Sequence, residues 1–219
     1  MLSQRPEATG SGIYIQDIIR EAALRGHENF LLTGAPRGEE SQPAGLASTA
    51  VEFVTFHGGD LPFRVVGMSD VMPYPIRRFS DLSPREVEAY EGAFADRLQE
   101  AAGRFHPQVI HSHRRWWLTC HGSDLCQFHF CPHLRHRVLA GCRHLEGIMA
   151  LSGTQKQDII RLYDIPGDRI EVVGAGYNEA LFRPQLKPTA DPVQLVYAGK
   201  LSRSKGVPWL LRALGHEPH

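Results

Sequence analysis

A glycine-rich turn that leads into a helical pattern decides the fold of this chain, in the stretch Ala8-Thr9-Gly10-Ser11-Gly12-Ile13-Tyr14-Ile15-Gln16-Asp17-Ile18-Ile19-Arg20-Glu21-Ala22-Ala23-Leu24. Apolar residues recur at helical spacing (Ile15, Ile18, Ile19, Ala22), and Gly26 predicts the end of the helix. The run Asn29–Leu32 then predicts a short strand. The amide groups at such a helix start favour an anion such as phosphate, although a tight turn would explain the glycines equally well.

Strand and helix signals alternate along the rest of the chain. Ser83, Pro84 and Glu86 form a capping-box pattern that predicts a helix continuing to about Phe105, and Ser152 with Gln155 predicts another through Tyr163. A third helix is predicted near Trp209. The predicted strands are Val51–Phe56, Gln108–Ile110, Leu145–Leu151, Arg169–Val173 and Val193–Ala198. This alternation predicts an α/β fold with a Rossmann-like, doubly wound parallel sheet.

The composition limits which partners and which cellular compartment we expect for this protein. In 219 residues, 24 Lys and Arg balance 24 Asp and Glu, so no net charge attracts nucleic acid. No apolar run reaches the ~18 residues of a transmembrane segment, which leaves only peripheral membrane contact open. The stretch Met1–Gly10 lacks the apolar centre of a signal peptide. We therefore expect a cytoplasmic protein with four reduced cysteines.

Several residues that could form a binding site follow the predicted strands, and in open α/β sheets ligands bind at these strand ends. They are Gly10 and Gly12, His111-Ser112-His113, His121-Gly122-Ser123-Asp124, and Gly199-Lys200 with Lys205. Only one of the histidines flanking Ser112 can face a cleft if the strand continues, because side chains alternate. Lys200 and Lys205 could together hold a diphosphate, or could be surface lysines. We expect Asp124 to shape a loop, and Trp116-Trp117 to pack rather than stack on a sugar.

The order of these motifs resembles the retaining glycosyltransferases of family 4. After the glycine loop come His111-Ser112-His113, Thr119-Cys120-His121-Gly122-Ser123-Asp124-Leu125, Gly147-Ile148-Met149-Ala150-Leu151-Ser152, Gly174-Ala175-Gly176-Tyr177-Asn178, and Leu195-Val196-Tyr197-Ala198-Gly199-Lys200-Leu201 with Lys205-Gly206-Val207. Each motif is loose, and the specificity lies in five of them in the right order. The resemblance extends from Gly10 to Leu214.

The resemblance implies two Rossmann-like domains of the GT-B fold and transfer of a sugar from a nucleotide-sugar to an unidentified acceptor. Residues 1–183 would form the acceptor-side domain and 184–219 the start of the donor-binding domain. His113, with His121 beside it, would be the catalytic histidine. Gly10 and Gly12, with Lys200 and Lys205, would bind the donor phosphates. The nucleotide-sugar is a substrate, so neither a cofactor nor a metal is implied.

Three departures from the family lead us to expect a truncated chain with impaired activity. The strand that should precede the glycine loop is absent, because Met1–Glu7 is polar. Only Arg114-Arg115-Trp116-Trp117-Leu118 separates His113 from Thr119, so strands at Val109 and Leu118 are not expected to be ordinary parallel neighbours. The chain ends at His219, before the acidic motif that holds the donor in this family.

Three alternatives stay open at the level of sequence. The first is a non-catalytic fragment of a glycosyltransferase. The second is a zinc-binding protein, suggested by the residues Cys120, His121, Cys126, His129, Cys131, His133, His136, Cys142 and His144, although no Cys-x2-Cys pair occurs among them. The third is a hydrolase with His111 and His113 as metal ligands, for which no carboxylate-rich motif is present.

Overall fold

The fold was determined as a computed structural model that describes residues 10–40, 42, 51–67, 74–112, 117–177, 179, 182–183, 195–199, 201 and 203–215. It divides into two compact units, Met1–Ala175 and Gly176–His219. The predicted domain boundary between residues 183 and 184 stays a prediction. The first strand expected ahead of the glycine loop lies outside the described residues.

The first unit combines helices with parallel strands, as expected for an α/β protein. Its helices are α1 (Gly10–Leu24), α2 (Pro84–Phe105), α3 (Gly122–Phe130), α4 (Arg135–Cys142) and α5 (Gly153–Tyr163). Its strands are β1 (Leu31–Pro36), β2 (Val51–Phe56), β3 (Val66–Gly67), β4 (Arg77–Arg78), β5 (His111–Ser112), β6 (Trp117–Cys120), β7 (Gly147–Ala150) and β8 (Ile170–Val172). Every described strand pair is parallel, which is consistent with a Rossmann-like domain.

The strands form three sheets in the described part of the chain: β1–β2, β3–β4 and β5–β6–β7–β8. In the first, Leu31 pairs with Val51. In the third, the register aligns Leu118 with Ile148 and Ile148 with Ile170. This shared register brings the carboxyl ends of β6, β7 and β8 to one edge of the sheet.

Helices cover both faces of the β1–β2 sheet. Ile15 and Ile19 of α1 pack on Leu31 and Val51. The opposite face carries Leu32, Val54 and Phe56, which pack against Val87, Tyr90 and Phe94 of α2. Because successive side chains of a strand point to opposite faces, this alternation along β1 and β2 fixes which helix covers which face.

Helix α2 forms as its sequence predicts. The Ser83 hydroxyl accepts a hydrogen bond from the Glu86 amide (3.3 Å), and the Ser83 amide donates to the Glu86 carboxylate (2.8 Å), which completes the capping box. The helix ends at His106, whose φ of 48° is left-handed. Helix α5 begins in the predicted way, since the Ser152 hydroxyl accepts from the Gln155 amide at 3.1 Å.

Two predicted strands are displaced. The strand predicted at Asn29–Leu32 runs instead from Leu31 to Pro36, because Thr33 and Ala35 are buried and pair with β2. The strand predicted at Gln108–Ile110 is wrong. Hydrogen bonding begins only at His111, and the Val109 side chain is 68% exposed.

The expectation that the strands around Val109 and Leu118 are not parallel neighbours is also wrong. His111 pairs with Trp117 and Ser112 with Leu118 in parallel register. A parallel crossover usually needs a dozen or more residues, because the chain must return along the length of a full strand before the next strand begins. Here β5 has two residues, so the return path is short, and five Cα–Cα steps reach about 17 Å.

The second unit contains α6 (Val207–Gly215), which confirms the helix predicted near Trp209. A 3-10 turn, Arg203–Lys205, precedes it. The predicted strand Val193–Ala198 is wrong in its described part. Residues 195–198 form no strand, and the side chain of Val196 is 90% exposed.

Candidate functional site

The candidate site is centred on His121, where β6 ends and α3 begins. His121 has an extended backbone (φ −99°, ψ 161°) and is the N-cap residue of α3. Its amide donates a hydrogen bond to Oδ2 of Asp124 at 2.8 Å. Asp124, expected to shape a loop, lies instead in the first turn of the helix. A carboxylate there stabilises the positive end of the helix dipole.

The start of α1 lies next to this junction. The Tyr14 and His121 rings meet edge to face, with centroids 5.4 Å apart and planes at 89°. Gly12, two residues before Tyr14, is buried, whereas Gly10 is exposed. The structure therefore brings two predicted site elements, the glycine-containing helix start and His121, close to one another.

None of the described residues packs closely against Gly10. A Cβ atom built there has no heavy atom within 4 Å, so the first turn of α1 is open on this side. The start of an α-helix favours an anion through its backbone amides and its dipole. The described residues place the start of α1 beside an aromatic and an imidazole ring.

His111 lies one strand away from His121 and has a different environment. Its Nε2 atom is 2.8 Å from the hydroxyl oxygen of Thr119, which is fully buried on β6. The pKa of His111 is lowered to about 4, mainly by burial and with a smaller contribution from nearby His121. His111 is thus a neutral imidazole at pH 7 that joins β5 to β6. His113 lies outside the described residues, so its predicted catalytic role stays a prediction.

The two predicted lysines belong to the second unit. Lys205 is exposed in the turn before α6, and Gly206 follows it with a φ of 77°. Lys200 lies outside the described residues. A joint role for these lysines in holding a diphosphate stays a prediction.

The Cys and His residues between Cys120 and His144 do not converge. No group of three or more His, Cys, Asp or Glu side chains that could hold a metal ion occurs among the residues the structure describes, and all nine of these residues are described. Burial raises the pKa of Cys142 to about 11 and that of Cys120 well above its usual range. Both are thiols at neutral pH, whereas zinc binds thiolates. Cys131 donates to Oε1 of Gln127 at 2.9 Å.

Two members of the site were missed in the sequence. In the sequence, Tyr14 lies within an apolar helical pattern, and its one distinguishing feature is an aromatic ring two residues after Gly12. Thr119 was noted only as the first residue of a motif. A threonine between apolar neighbours in a short strand was the available signal, because a buried hydroxyl requires a hydrogen-bond partner.

Parallel strands, a glycine-containing helix start and a histidine at a strand end define a protein of the α/β class with a candidate site at the carboxyl edge of its sheet. The family model for Glycosyltransferase Family 4 matches residues 8–181, and the chain belongs to this family. A search of curated proteins finds no match. Among the described helices, none is both long enough and apolar enough to cross a membrane.

Proposed function

We propose that this protein transfers a sugar, with retention of anomeric configuration, from a nucleotide-sugar to an acceptor hydroxyl. The bond between the anomeric carbon and the donor phosphate breaks, and the nucleoside diphosphate leaves with the electron pair. The acceptor oxygen forms the new bond to that carbon and loses its proton. The main task of the protein is to stabilise the negative charge on the departing diphosphate.

The observation that carries this proposal is the contact between Tyr14 and His121 in a chain of Glycosyltransferase Family 4. It places the first turn of α1 beside the end of β6, so that one donor could contact both. In the proposal, Gly10 and Gly12 at the start of α1 bind the donor phosphate and His121 lies against the sugar. His113 is assigned the catalytic role next to it.

The rest of the assignment completes a GT-B enzyme. The first unit would carry a doubly wound sheet, and a donor-binding domain would begin in the second unit. Lys200 and Lys205 would neutralise the diphosphate from that domain. A cytoplasmic location would give access to nucleotide-sugars, and no metal or cofactor is needed for this scheme.

The proposal is tested by thermal unfolding with UDP, GDP, ADP and their sugars, on the wild-type chain and two glycine variants. Gly12→Ala adds a methyl group at the buried start of α1, and Gly92→Ala adds one within α2, where no heavy atom lies within 4 Å of the new Cβ. Both gain helix propensity, by about 1 kcal/mol. We expect one nucleotide to raise the melting temperature of the wild type and of Gly92→Ala, with a smaller rise for Gly12→Ala.

A nucleotide shift of equal size in both variants would refute the role of the α1 start. No shift with any nucleotide would favour a chain that does not bind donor, which is the non-catalytic alternative. A positive shift leads directly to an assay of nucleoside diphosphate release with candidate acceptors.

A further inference from the structure

Residues 125–145 carry charge of one sign. The stretch contains no Asp, Glu or Lys, and its basic residues are Arg135, Arg137, Arg143, His129, His133, His136 and His144. It includes most of α3, the 3-10 turn Pro132–Leu134 and all of α4. Since Lys and Arg balance Asp and Glu in the whole chain, the charge of this stretch is a local feature. Such a segment indicates an anionic partner.

Burial divides α3 and α4 into an inner and an outer side. Leu125, Phe128, Val138 and Leu139 pack against buried residues of β6, β7 and β8. Exposed residues recur every three or four positions on the other side, which places them on one face of the helices. We call this side the outer surface and define it by His129, Phe130, His133, His136 and Arg143.

Two arginines of the stretch are engaged within the protein. Arg135 donates to two backbone carbonyls of α3, at 2.6 and 3.2 Å. Arg137 pairs with Glu88 of α2 at 3.6 Å and also with Glu91. The fixed charge of the outer surface is therefore that of Arg143. The histidines add positive charge to it in mild acid, in which imidazole gains a proton.

Charged groups on the elements packed against α3 and α4 lie outside the outer surface. In α5, Asp158 lies 2.6 Å from Arg161, and Lys156 donates to a backbone carbonyl of β8 at 2.7 Å. In the first turn of α3, Asp124 accepts from the N-cap amide at 2.8 Å. Glu146 is exposed and follows the stretch. An external anion would therefore supply counter-charge when the outer histidines bind protons.

Phe130 gives the outer surface an apolar component. Its side chain is 73% exposed at the end of α3, between cationic neighbours. An aromatic ring beside cationic side chains suits the surface of an anionic bilayer, where the ring enters the interface and the cations contact lipid head groups. Nucleic-acid binding depends instead on several fixed Lys and Arg contacts to phosphates, and the outer surface has one arginine.

We propose that the outer surface binds an anionic phospholipid bilayer, and that this binding strengthens as the surface histidines gain protons. Phe130 lies among the head groups, and Arg143 and the histidines contact lipid phosphates. This attachment is independent of glycosyl transfer.

The test measures co-sedimentation of the full chain with vesicles of phosphatidylcholine, alone or mixed equally with phosphatidylglycerol, at about pH 6 and about pH 7.5. One variant carries His133→Gln and His136→Gln. Its control carries His27→Gln and His144→Gln, which change two exposed histidines outside the outer surface. A gel-shift assay with duplex DNA is run in parallel.

A second variant tests the aromatic side chain. Phe130→Ser removes a ring that is 73% exposed, and its control Leu24→Ser removes an apolar side chain that is 75% exposed at the end of α1. We expect Phe130→Ser to bind anionic vesicles several-fold more weakly than Leu24→Ser at both pH values. Equal binding by these two variants would overturn the proposal.

We expect wild-type binding to anionic vesicles to be stronger at about pH 6 than at about pH 7.5. At the lower pH the double histidine variant should bind at least about fivefold more weakly than its control. Equal binding to both kinds of vesicle, or no binding to either, would refute the proposal. A gel shift with duplex DNA in the absence of vesicle binding would also refute it and would favour a nucleic-acid partner.

Discussion

Two histidines on neighbouring strands differ because of what surrounds each ring. His111 is buried and close to the hydroxyl of Thr119, while His121 precedes a helix and contacts Tyr14. Both appeared in the sequence as similar candidates after apolar runs. A sequence does not reveal which imidazole is desolvated, because burial depends on residues from several elements. Here the pairing of β5 with β6 determines that His111 is the buried imidazole.

His111 should make the stability of the protein fall in mild acid. Its folded pKa of about 4 is below the ordinary value of 6.5, so the unfolded chain binds a proton that the folded chain excludes between these pH values. The cost approaches about 1.4 kcal/mol per pH unit as pH falls through this window, and it is absent above it. His111→Gln should flatten the stability profile from pH 6.5 to 4 in urea unfolding experiments. The exposed His144→Gln is the control, and equal profiles for the two variants would contradict the assignment.

Tyr14 should position His121 through its ring. Tyr14→Ala removes the edge-to-face contact and should destabilise the protein by about 1 kcal/mol, whereas Tyr14→Phe keeps the ring. We expect nucleoside diphosphate affinity, measured by calorimetry, to fall several-fold in Tyr14→Ala and to be kept in Tyr14→Phe. If the two variants bind equally well, the contact has no role in the site.

At the scale of elements, local capping signals predicted the starts of two helices, while α3 and α4 were not predicted. The capping box at Ser83 and the cap at Ser152 fixed the starts of α2 and α5, because these bonds form within one helical turn. The strand Val51–Phe56 was predicted with its observed bounds. Strand β5 was misplaced by up to three residues, and residues 195–198 are not a strand, since an apolar run becomes a strand only beside a partner.

The turn after β2 is held by a carboxylate that links two elements. Asp60 accepts hydrogen bonds from the amide and hydroxyl of Thr55, each at 2.8 Å, and from Arg97 of α2 at 2.9 Å. Gly59 is required within this turn, because a Cβ there would lie 2.1 Å from the Thr55 hydroxyl oxygen. The turn therefore connects the end of β2 to α2.

Asp60 should stabilise the fold above its ordinary pKa of 3.8 and lose that effect in acid. Burial alone would raise its pKa, but the hydrogen bonds from Thr55 and Arg97 outweigh burial and hold the pKa below the usual value. The unfolded chain thus takes up the proton first as pH falls, and the contribution disappears below about pH 4. Asp60→Asn should lower the free energy of unfolding by about 1–2 kcal/mol at pH 7 and by less at pH 3, measured by urea titration. An equal loss at both pH values would contradict an electrostatic role.

At the scale of the whole molecule, the order of motifs predicted the class of fold and the family. It did not predict how the strands divide into separate sheets. The family model covers residues 8–181 and so overlaps most of the stretch Gly10–Leu214 over which the motifs resemble the family. The separation of β1–β2 from β5–β6–β7–β8 depends on pairing between distant residues. The parallel pairing of the strands joined by the connection from Ser112 to Trp117 depends on such contacts as well, and the usual length of a crossover did not predict it. Local patterns carry no information on such pairings.

In the proposed function, the start of α1 and His121 form one donor site. NMR of the full chain during titration with UDP, GDP or ADP tests this most directly, with the exposed His144 ring as an internal control. We predict that the nucleotide that stabilises the protein shifts the amides of Gly12 and Tyr14 and the ring of His121 together, with one dissociation constant, and leaves His144 unchanged. Saturable binding that shifts none of these three residues would contradict it.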